Sequence, residues 1–419
     1  MITENFATHS DLNIESAYNN IKAEVFNTPL QFNKKLSDKY KARIYFKRED
    51  LQLVRSYKIR GAFNLLSQLS KQELQNGVVC ASAGNHAQGF AYSCNLLKVK
   101  GIVFMPAITP KQKINQVKMF GADNIEIVLV GDTFDECAVE ALEYTSLNSK
   151  TFIPPFDHIK IIEGQGTVGL EILNELKDID YVFVPVGGGG LAAGLGYYFD
   201  KKSPETEIIG VEPEGAPSMK RALEFGEPVM LEKIERFIDG AAVKKVGKIT
   251  FDFCKRFLSD MLLVSEGKVC STILKLYNEE AIVVEPAGAL SIAALDQYKD
   301  RIIGKTVVCI ISGGNNDIDR MQEIKERSLL YEGLKKYFII RFAQRPGALK
   351  HFMNDVMGPN DDIVRFEYMK KNNKEAGPAL IGIEHKSKSD FDNLILNLHK
   401  FQINFTLLNE DENLFEYLV

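Results

Sequence analysis

Tryptophan is absent from this chain of 419 residues, and proline is sparse at 14. Neither shortage limits the core, because 45% of the residues are hydrophobic, and a chain of this length is expected to form two or three domains. No run of roughly twenty apolar residues occurs, and Met1 to Asn20 has no apolar centre, so neither a membrane span nor a secretory leader is expected. A net charge of −5 with no long basic run removes the electrostatic case for nucleic acid. Close cysteine pairs are missing too. Cys80, Cys94, Cys137, Cys254, Cys270 and Cys309 stand singly among apolar residues, as reduced buried thiols do, and not at zinc or redox spacing. Together these absences point to a soluble cytoplasmic protein, without short repeats or low-complexity tracts.

What the chain does have is alternation. A polar lead precedes an amphipathic helix near Ile14 to Val25, which Thr28-Pro29-Leu30 ends because proline cannot continue a helix. Extended apolar runs follow at Arg43 to Phe46, Val78 to Ala81, Lys100 to Met105, Asn124 to Val130, Thr151 to Ile153, Tyr181 to Val186, Glu207 to Val211, Met261 to Val264 and Thr306 to Ile311. Helical patterns lie between them, at Ala62 to Ser70, Ala87 to Leu97, Pro110 to Phe120, Thr133 to Ser146, Thr167 to Leu176, Lys268 to Asn278 and Gly288 to Gln297. Such an order predicts an α/β fold with sheets buried on both faces by helices, and ligands beyond the carboxyl ends of the strands. The composition changes after Ile311. A loop rich in glycine, asparagine and aspartate (Ser312 to Arg320) leads into a charged helix, Met321 to Leu334. Then come a strand (Tyr337 to Ala343), the turn Arg345-Pro346-Gly347-Ala348-Leu349 opening a helix, strands at Ile363 to Lys370 and Ala379 to His385, a helix at Phe391 to Phe401 and a last extended stretch, Ile403 to Leu408. That β-α-β-β-α-β order predicts a small ferredoxin-like α+β domain.

Four stretches at the ends of strands carry candidate chemistry. Lys58 closes the run Lys47-Arg48-Glu49-Asp50-Leu51-Gln52-Leu53-Val54-Arg55-Ser56-Tyr57-Lys58-Ile59-Arg60-Gly61, between an extended segment and a helix. A lysine held there is partly desolvated, which lowers its pKa and makes it a nucleophile and base near neutral pH. Ala81-Ser82-Ala83-Gly84-Asn85-His86-Ala87-Gln88-Gly89 leaves small residues and free amides at a helix start, either as an anion nest for a carboxylate or as an ordinary cap. His86 has no companion serine or cysteine motif and reads as a packing or hydrogen-bonding histidine. Gly187-Gly188-Gly189-Gly190-Leu191 follows the strand ending at Val186, and four glycines together imply close approach of backbone to a ligand. No Gly-Lys-Ser/Thr ending is present, which excludes an ATP P-loop, and a single phosphate monoester fits best. Glu212, near the spacing used to bind a dinucleotide ribose, keeps a nicotinamide reading open. The fourth stretch, Ser312-Gly313-Gly314-Asn315-Asn316-Asp317, presents a neutral hydroxyl from a strand end or is simply a turn.

In this order, the Lys-Arg-Glu-Asp-Leu-Gln run ending in Ser-Tyr-Lys-Ile-Arg-Gly, the Ser-Ala-Gly-Asn-His-Ala-Gln-Gly loop and the tetraglycine with Leu-Ala-Ala-Gly resemble the fold-type II pyridoxal-phosphate enzymes, and closely the threonine dehydratase (threonine deaminase) family. The resemblance covers nearly the whole chain. It implies a tryptophan synthase β-like core over residues 1–320 with a smaller subdomain at about 50–150, a connecting helix at 321–335 and an ACT-like regulatory domain at 336–419. It further implies that Lys58 forms the Schiff base with pyridoxal 5'-phosphate, that Asn85 contacts the phenolic oxygen, that the amides of Gly187, Gly188, Gly189, Gly190 and Leu191 hold the phosphate, and that Ser312 bonds the pyridine nitrogen. Ser82, Ala83, Gly84, Asn85 and His86 would receive the substrate carboxylate. The expected reaction is dehydration and deamination of threonine to 2-oxobutanoate, under feedback by isoleucine in a homotetramer. A catabolic serine/threonine dehydratase and a serine racemase-like enzyme are the alternatives. Racemases of this architecture carry a second serine as base where this chain has Ala83, and a cation-binding aspartate where it has Ser218, so no metal is assigned.

Overall fold

The computed structural model describes residues 11–368 and 375–418, and the chain divides into two compact units, Met1–Ile318 and Asp319–Val419. The polar lead before Asp11, and Met369 and Lys370 of the expected strand, lie outside the described residues. No helix among those residues is long and apolar enough to cross a membrane.

In the first unit the strands are β1 (Leu30–Phe32), β2 (Arg43–Arg48), β3 (Val78–Ala81), β4 (Gly101–Met105), β5 (Ile125–Leu129), β6 (Thr151–Phe152), β7 (Tyr181–Pro185), β8 (Glu207–Pro213), β9 (Asp260–Val264) and β10 (Thr306–Ile311). One sheet runs β1-β2-β10-β7-β8-β9, parallel throughout except where β1 meets β2. The other, β5-β4-β3-β6, is wholly parallel and is made from chain lying between β2 and β7. Every residue of β3, β4, β7 and β10 is buried, the reason these strands read as continuous apolar runs.

Differences from the sequence expectation have local causes. β1 and the helices Lys34–Tyr40, Lys71–Asn76 and Ser218–Phe225 are short, and Lys34–Tyr40 and Lys71–Asn76 carry little apolar signal, while the amphipathic helix Lys248–Phe257 was not expected. Lys71–Asn76 buries no residue at all and is held by a Ser70–Glu73 capping box. The helix expected from Thr167 starts instead at Ile159 and runs to Glu175, because Gly164 and Gly166, which resemble helix breakers, sit where other helices press against it.

In the second unit the helix Met321–Glu332 precedes β11 (Lys335–Ala343), β12 (Asp362–Tyr368), β13 (Ala376–Glu384) and β14 (Phe405–Leu407). The antiparallel order β12-β13-β11-β14 is that of a ferredoxin-like sheet, and the helix Lys388–Lys400 closes a core of Phe338, Ile340, Phe352, Ile381, Leu394 and Leu398. A terminal helix, Glu412–Leu418, lies beyond the last expected strand.

Candidate active site

Lys58 is the first residue of the helix Lys58–Leu66, and the loop before it is stitched to the loop after β10. Tyr57 N donates to Ser312 O (3.2 Å), Gly314 N donates to Arg55 O (2.9 Å), and Ser56 bridges to Gly313. The Lys58 amine donates to Pro155 O at 2.9 Å. Lys58 is only half-buried as a residue, but its amine lies deep enough that desolvation lowers its pKa to about 8, partly opposed by the carboxylate of Glu285. His86 is buried, and its Nε2 donates to Ile153 O (3.0 Å). Burial and then the nearby Lys58 charge hold it down at about 3, so it is neutral and fixed in one tautomer.

Asn85 opens the helix Asn85–Leu97 beyond β3. Its Nδ2 donates to Glu285 Oε1 (2.7 Å) and its Oδ1 accepts from Asn315 Nδ2 (2.6 Å). Glu285 is only 6% exposed. Burial, reinforced by Asp239 and opposed by Asn85, pushes its pKa up to about 7. Beside it, Ser82 N is paired with Phe104 O, and Gly84 N with Ser82 Oγ (3.3 Å), whereas the amides of Ala83, Asn85 and His86 have no acceptor among the described residues.

The tetraglycine has no room for side chains. A β-carbon on Gly187 would lie 3.0 Å from Ala241 Cα, and one on Gly188 2.2 Å from the Phe156 ring. Gly189 has φ 92°, and a β-carbon there would meet Met219 Cε at 2.7 Å. Its carbonyls are tied back, Gly188 O by Thr250 Oγ1 (2.6 Å), and Asp157 in turn accepts from Thr250 N (3.1 Å) and Lys248 N (2.9 Å). Its amides are not: Gly187, Gly188, Gly189, Gly190 and Leu191 donate to no acceptor among the described residues. Ser312, 2% exposed just past β10, likewise has no protein partner for its hydroxyl among them.

Backbone and side-chain contacts therefore bring Lys58, Asn85, His86 and Ser312 around Glu285, while Pro155 and Phe156 join Lys58 to Gly188. By resemblance, the loops Asp239-Gly240-Ala241-Ala242 and Glu285-Pro286-Ala287-Gly288 have no sharper role than shaping the cofactor pocket, and sequence reasoning assigned none to Asn315, Thr250 or the Pro155-Phe156 pair. Glu285 stands before a helix-opening proline and Asn315 within the Ser-Gly-Gly-Asn motif, so both were visible as loop residues. The contact of Phe156 with the glycines leaves no trace in spacing. Glu212 is spent within its own fold, accepting from Met219 N (2.7 Å), Lys220 N (2.9 Å) and Ser218 Oγ (3.3 Å), and burial pushes its pKa up to about 8. Both of its carboxyl oxygens are engaged and the side chain is wholly buried, so it is not presented to a ribose, which removes the support for the nicotinamide reading.

Comparison with known proteins places this geometry. The family model described as pyridoxal-phosphate dependent enzyme matches residues 21–313, most of the chain. The chain belongs to the pyridoxal-phosphate-dependent enzyme family. Within that family it is 58% identical over 400 residues, 95% of this chain and 96% of the relative, to the biosynthetic L-threonine dehydratase of Halalkalibacterium halodurans. The model for the C-terminal regulatory domain of threonine dehydratase matches residues 326–418. Among solved pyridoxal-phosphate enzymes, the processed threonine deaminase isoform 2 of Solanum lycopersicum superposes with a TM-score of 0.71 at 39% identity, covering 78% of this chain and 99% of that one. The serine racemase of Dictyostelium discoideum gives 0.67 at 31%, covering 73% and 98%.

Proposed function

We propose that this protein is a biosynthetic L-threonine dehydratase that uses pyridoxal 5'-phosphate to eliminate water from L-threonine, yielding 2-oxobutanoate and ammonia. The observation that carries the reading is one amine lowered to about pH 8, linked through Pro155 and Phe156 to a run of glycine amides without acceptors. The residues fit the cofactor. Gly187, Gly188, Gly189, Gly190 and Leu191 supply donors for a phosphate, Lys58 supplies the amine for an aldehyde, Asn85 lies ready for the phenolic oxygen, and Ser312 offers an unpartnered hydroxyl to a ring nitrogen.

When bound, the cofactor supplies an electron sink for the pair left on the substrate α-carbon. The rest falls to the chain. The amides of Ala83, Asn85 and His86, with Ser82 and Gly84 shaping the loop, take the substrate carboxylate. Lys58 removes the α-proton, for which a pKa of about 8 is well matched at neutral pH. A neutral hydroxyl at Ser312 adds no formal charge to the sink, which favours loss of the β-hydroxyl over a long-lived carbanion. Water is lost, the enamine tautomerises, and water returns to release ammonia and the 2-oxoacid.

The likeness to a serine racemase favours a second reading, but Ala83 has no group to return a proton on the opposite face. Dehydration without inversion at the α-carbon is the expected outcome; D-allothreonine formed as fast as 2-oxobutanoate would reverse it. Residues 336–419 act as the ACT-like regulatory domain and 321–335 as its connector, with isoleucine as feedback inhibitor, in a homotetramer in the cytoplasm; the regulatory-domain match supports the division of the chain, and six buried cysteines in no disulfide support the compartment. The deciding assay measures 2-oxoacid formation from threonine and from serine, each with and without isoleucine and valine. A serine preference unaffected by either branched amino acid would favour the catabolic alternative.

A further inference from the structure

The helix Ile159–Glu175 touches both halves of the site just described, and it does so through glycine. At its crossing with Lys58–Leu66, a β-carbon on Gly164 would fall 2.5 Å from Arg60 O and 2.7 Å from Gly61 Cα. At its crossing with the helix Gly190–Lys202, one on Gly194 would fall 2.6 Å from both Gly166 N and Ile162 O. Side-chain carbons do not come that close to backbone, so at both crossings main chain rests on main chain. One partner helix begins at Lys58, and the other carries the amides of Gly190 and Leu191. The first crossing is also fixed in rotation, since Asn64 Nδ2 donates to Lys160 O (2.7 Å) and Arg60 Nη1 to Thr167 Oγ1 (3.1 Å) and Glu171 Oε1 (2.7 Å). Leading into the same helix, Pro155 receives the Lys58 amine, Phe156 lies against Gly188, and Asp157 holds Thr250.

We propose that Ile159–Glu175 is a spacer, with Gly164, Gly166 and Gly194 as its positioning residues, which sets the separation between the Lys58 amine and the glycine amides to suit one ligand carrying both an aldehyde and a phosphate at a fixed distance from each other. Side chains at a helix crossing change rotamer and repack, whereas backbone contact has nothing to rearrange, so the spacing is rigid. A ligand anchored at two points gains over one anchored at a single point only when the anchors match its length. The inference rests on the cofactor reading of Proposed function.

The test needs no turnover. Apoprotein is titrated by fluorescence with pyridoxal phosphate, which has both handles, with pyridoxal, which lacks the phosphate, and with pyridoxine phosphate, which lacks the aldehyde. Gly194→Ala adds a carbon where backbone already stands and must displace Gly190–Lys202, although alanine is the better helix former. The expected result is a loss of about tenfold or more for pyridoxal phosphate, with each one-handled probe within about twofold of wild type, and the same pattern for Gly164→Ala. Equal losses on all three probes, or no loss on any, overturn the spacer. Wild-type protein that binds pyridoxal phosphate no better than pyridoxine phosphate overturns the cofactor reading and the spacer with it. Should neither alanine variant fold, Gly166→Ala presses on the same crossing as Gly194→Ala more gently, its added carbon meeting backbone at Gly194 O at 3.1 Å and, nearer, the flexible end of Ile14. It must then show the same pattern at about twofold to threefold, and an unchanged ratio among the three probes sinks the proposal.

Discussion

Two groups of buried charge lie at the start of one helix and behave in opposite ways. Around Arg60, Lys47 donates to Glu171 Oε2 (2.6 Å) and Thr28 O (2.6 Å), and Arg60 reaches Glu49 (2.8 Å) and Glu171 (2.7 Å), all four charged side chains almost wholly buried. Two cations face two anions, leftover carboxylate lone pairs accept from Thr28 and Gln52, and a leftover Arg60 N–H donates to Thr167 Oγ1. Burial alone would raise the Glu49 carboxyl, yet Arg60 and Lys47 hold it below its usual range, and the Arg60 guanidinium is pushed further up. Two residues earlier in the chain, Lys58 pairs with no carboxylate among the described residues, its amine donating instead to Pro155 O, and Glu285 has an amide partner in Asn85. There desolvation wins, and the amine at about 8 and the acid at about 7 both move toward neutrality. Buried charge that is matched and saturated holds architecture; buried charge left short of partners is poised to exchange protons.

Three substitutions and one truncation test that contrast. Lys58→Ala should lower 2-oxobutanoate formation by more than about a thousandfold and remove the visible absorption of the holoprotein, while circular dichroism stays unchanged. Retained turnover would show the poised group to lie elsewhere. Arg60→Met leaves Glu49 and Glu171 buried without a guanidinium, and should destabilise the protein by about 3 to 5 kcal/mol in urea unfolding. A loss under about 1 kcal/mol would mean that the matched cluster is not structural.

Glu285→Gln sharpens the comparison through pH. The carboxyl sits at about 7 when folded against its ordinary 4.5, so the folded chain keeps a proton that the unfolded chain releases. Stability from this group is complete below 4.5 and is lost as pH rises through about 7. Removing it should make the apoprotein about 2 to 3 kcal/mol more stable than wild type at pH 8, with no difference near pH 4, while turnover falls. A variant less stable than wild type at pH 8 would place Glu285 with the structural cluster. The smallest effect is expected from ending the chain at Ile318, the limit of the first unit, which should change threonine turnover by less than about fivefold and abolish its response to isoleucine.

Much of this was legible in the residues. Parallel strands buried on both faces announce themselves as apolar runs, and β3, β4, β7 and β10 were all visible in this way. Asn85, the tetraglycine and Ser312 each follow such a run closely, and Lys58 opens the helix after β2, so their grouping followed from the rule that parallel sheets bind ligands at strand ends. Less legible were short polar helices such as Lys71–Asn76, held by a cap and not by an apolar stripe. The glycines of Ile159–Glu175 were misleading, because a residue that weakens a lone helix strengthens one that must lie against another backbone.

Sequence alone determined which atoms are available, one lysine amine, a set of glycine amides and a neutral hydroxyl, because residue type and local backbone freedom are written position by position. Tertiary structure decided how those atoms behave. Whether an amine is lowered or a carboxylate raised depends on what surrounds it in space, and Glu285 lies 227 residues beyond Lys58 in the chain yet bears directly on its charge. Burial and distance are set only when distant segments pack together, and no spacing along the chain records them.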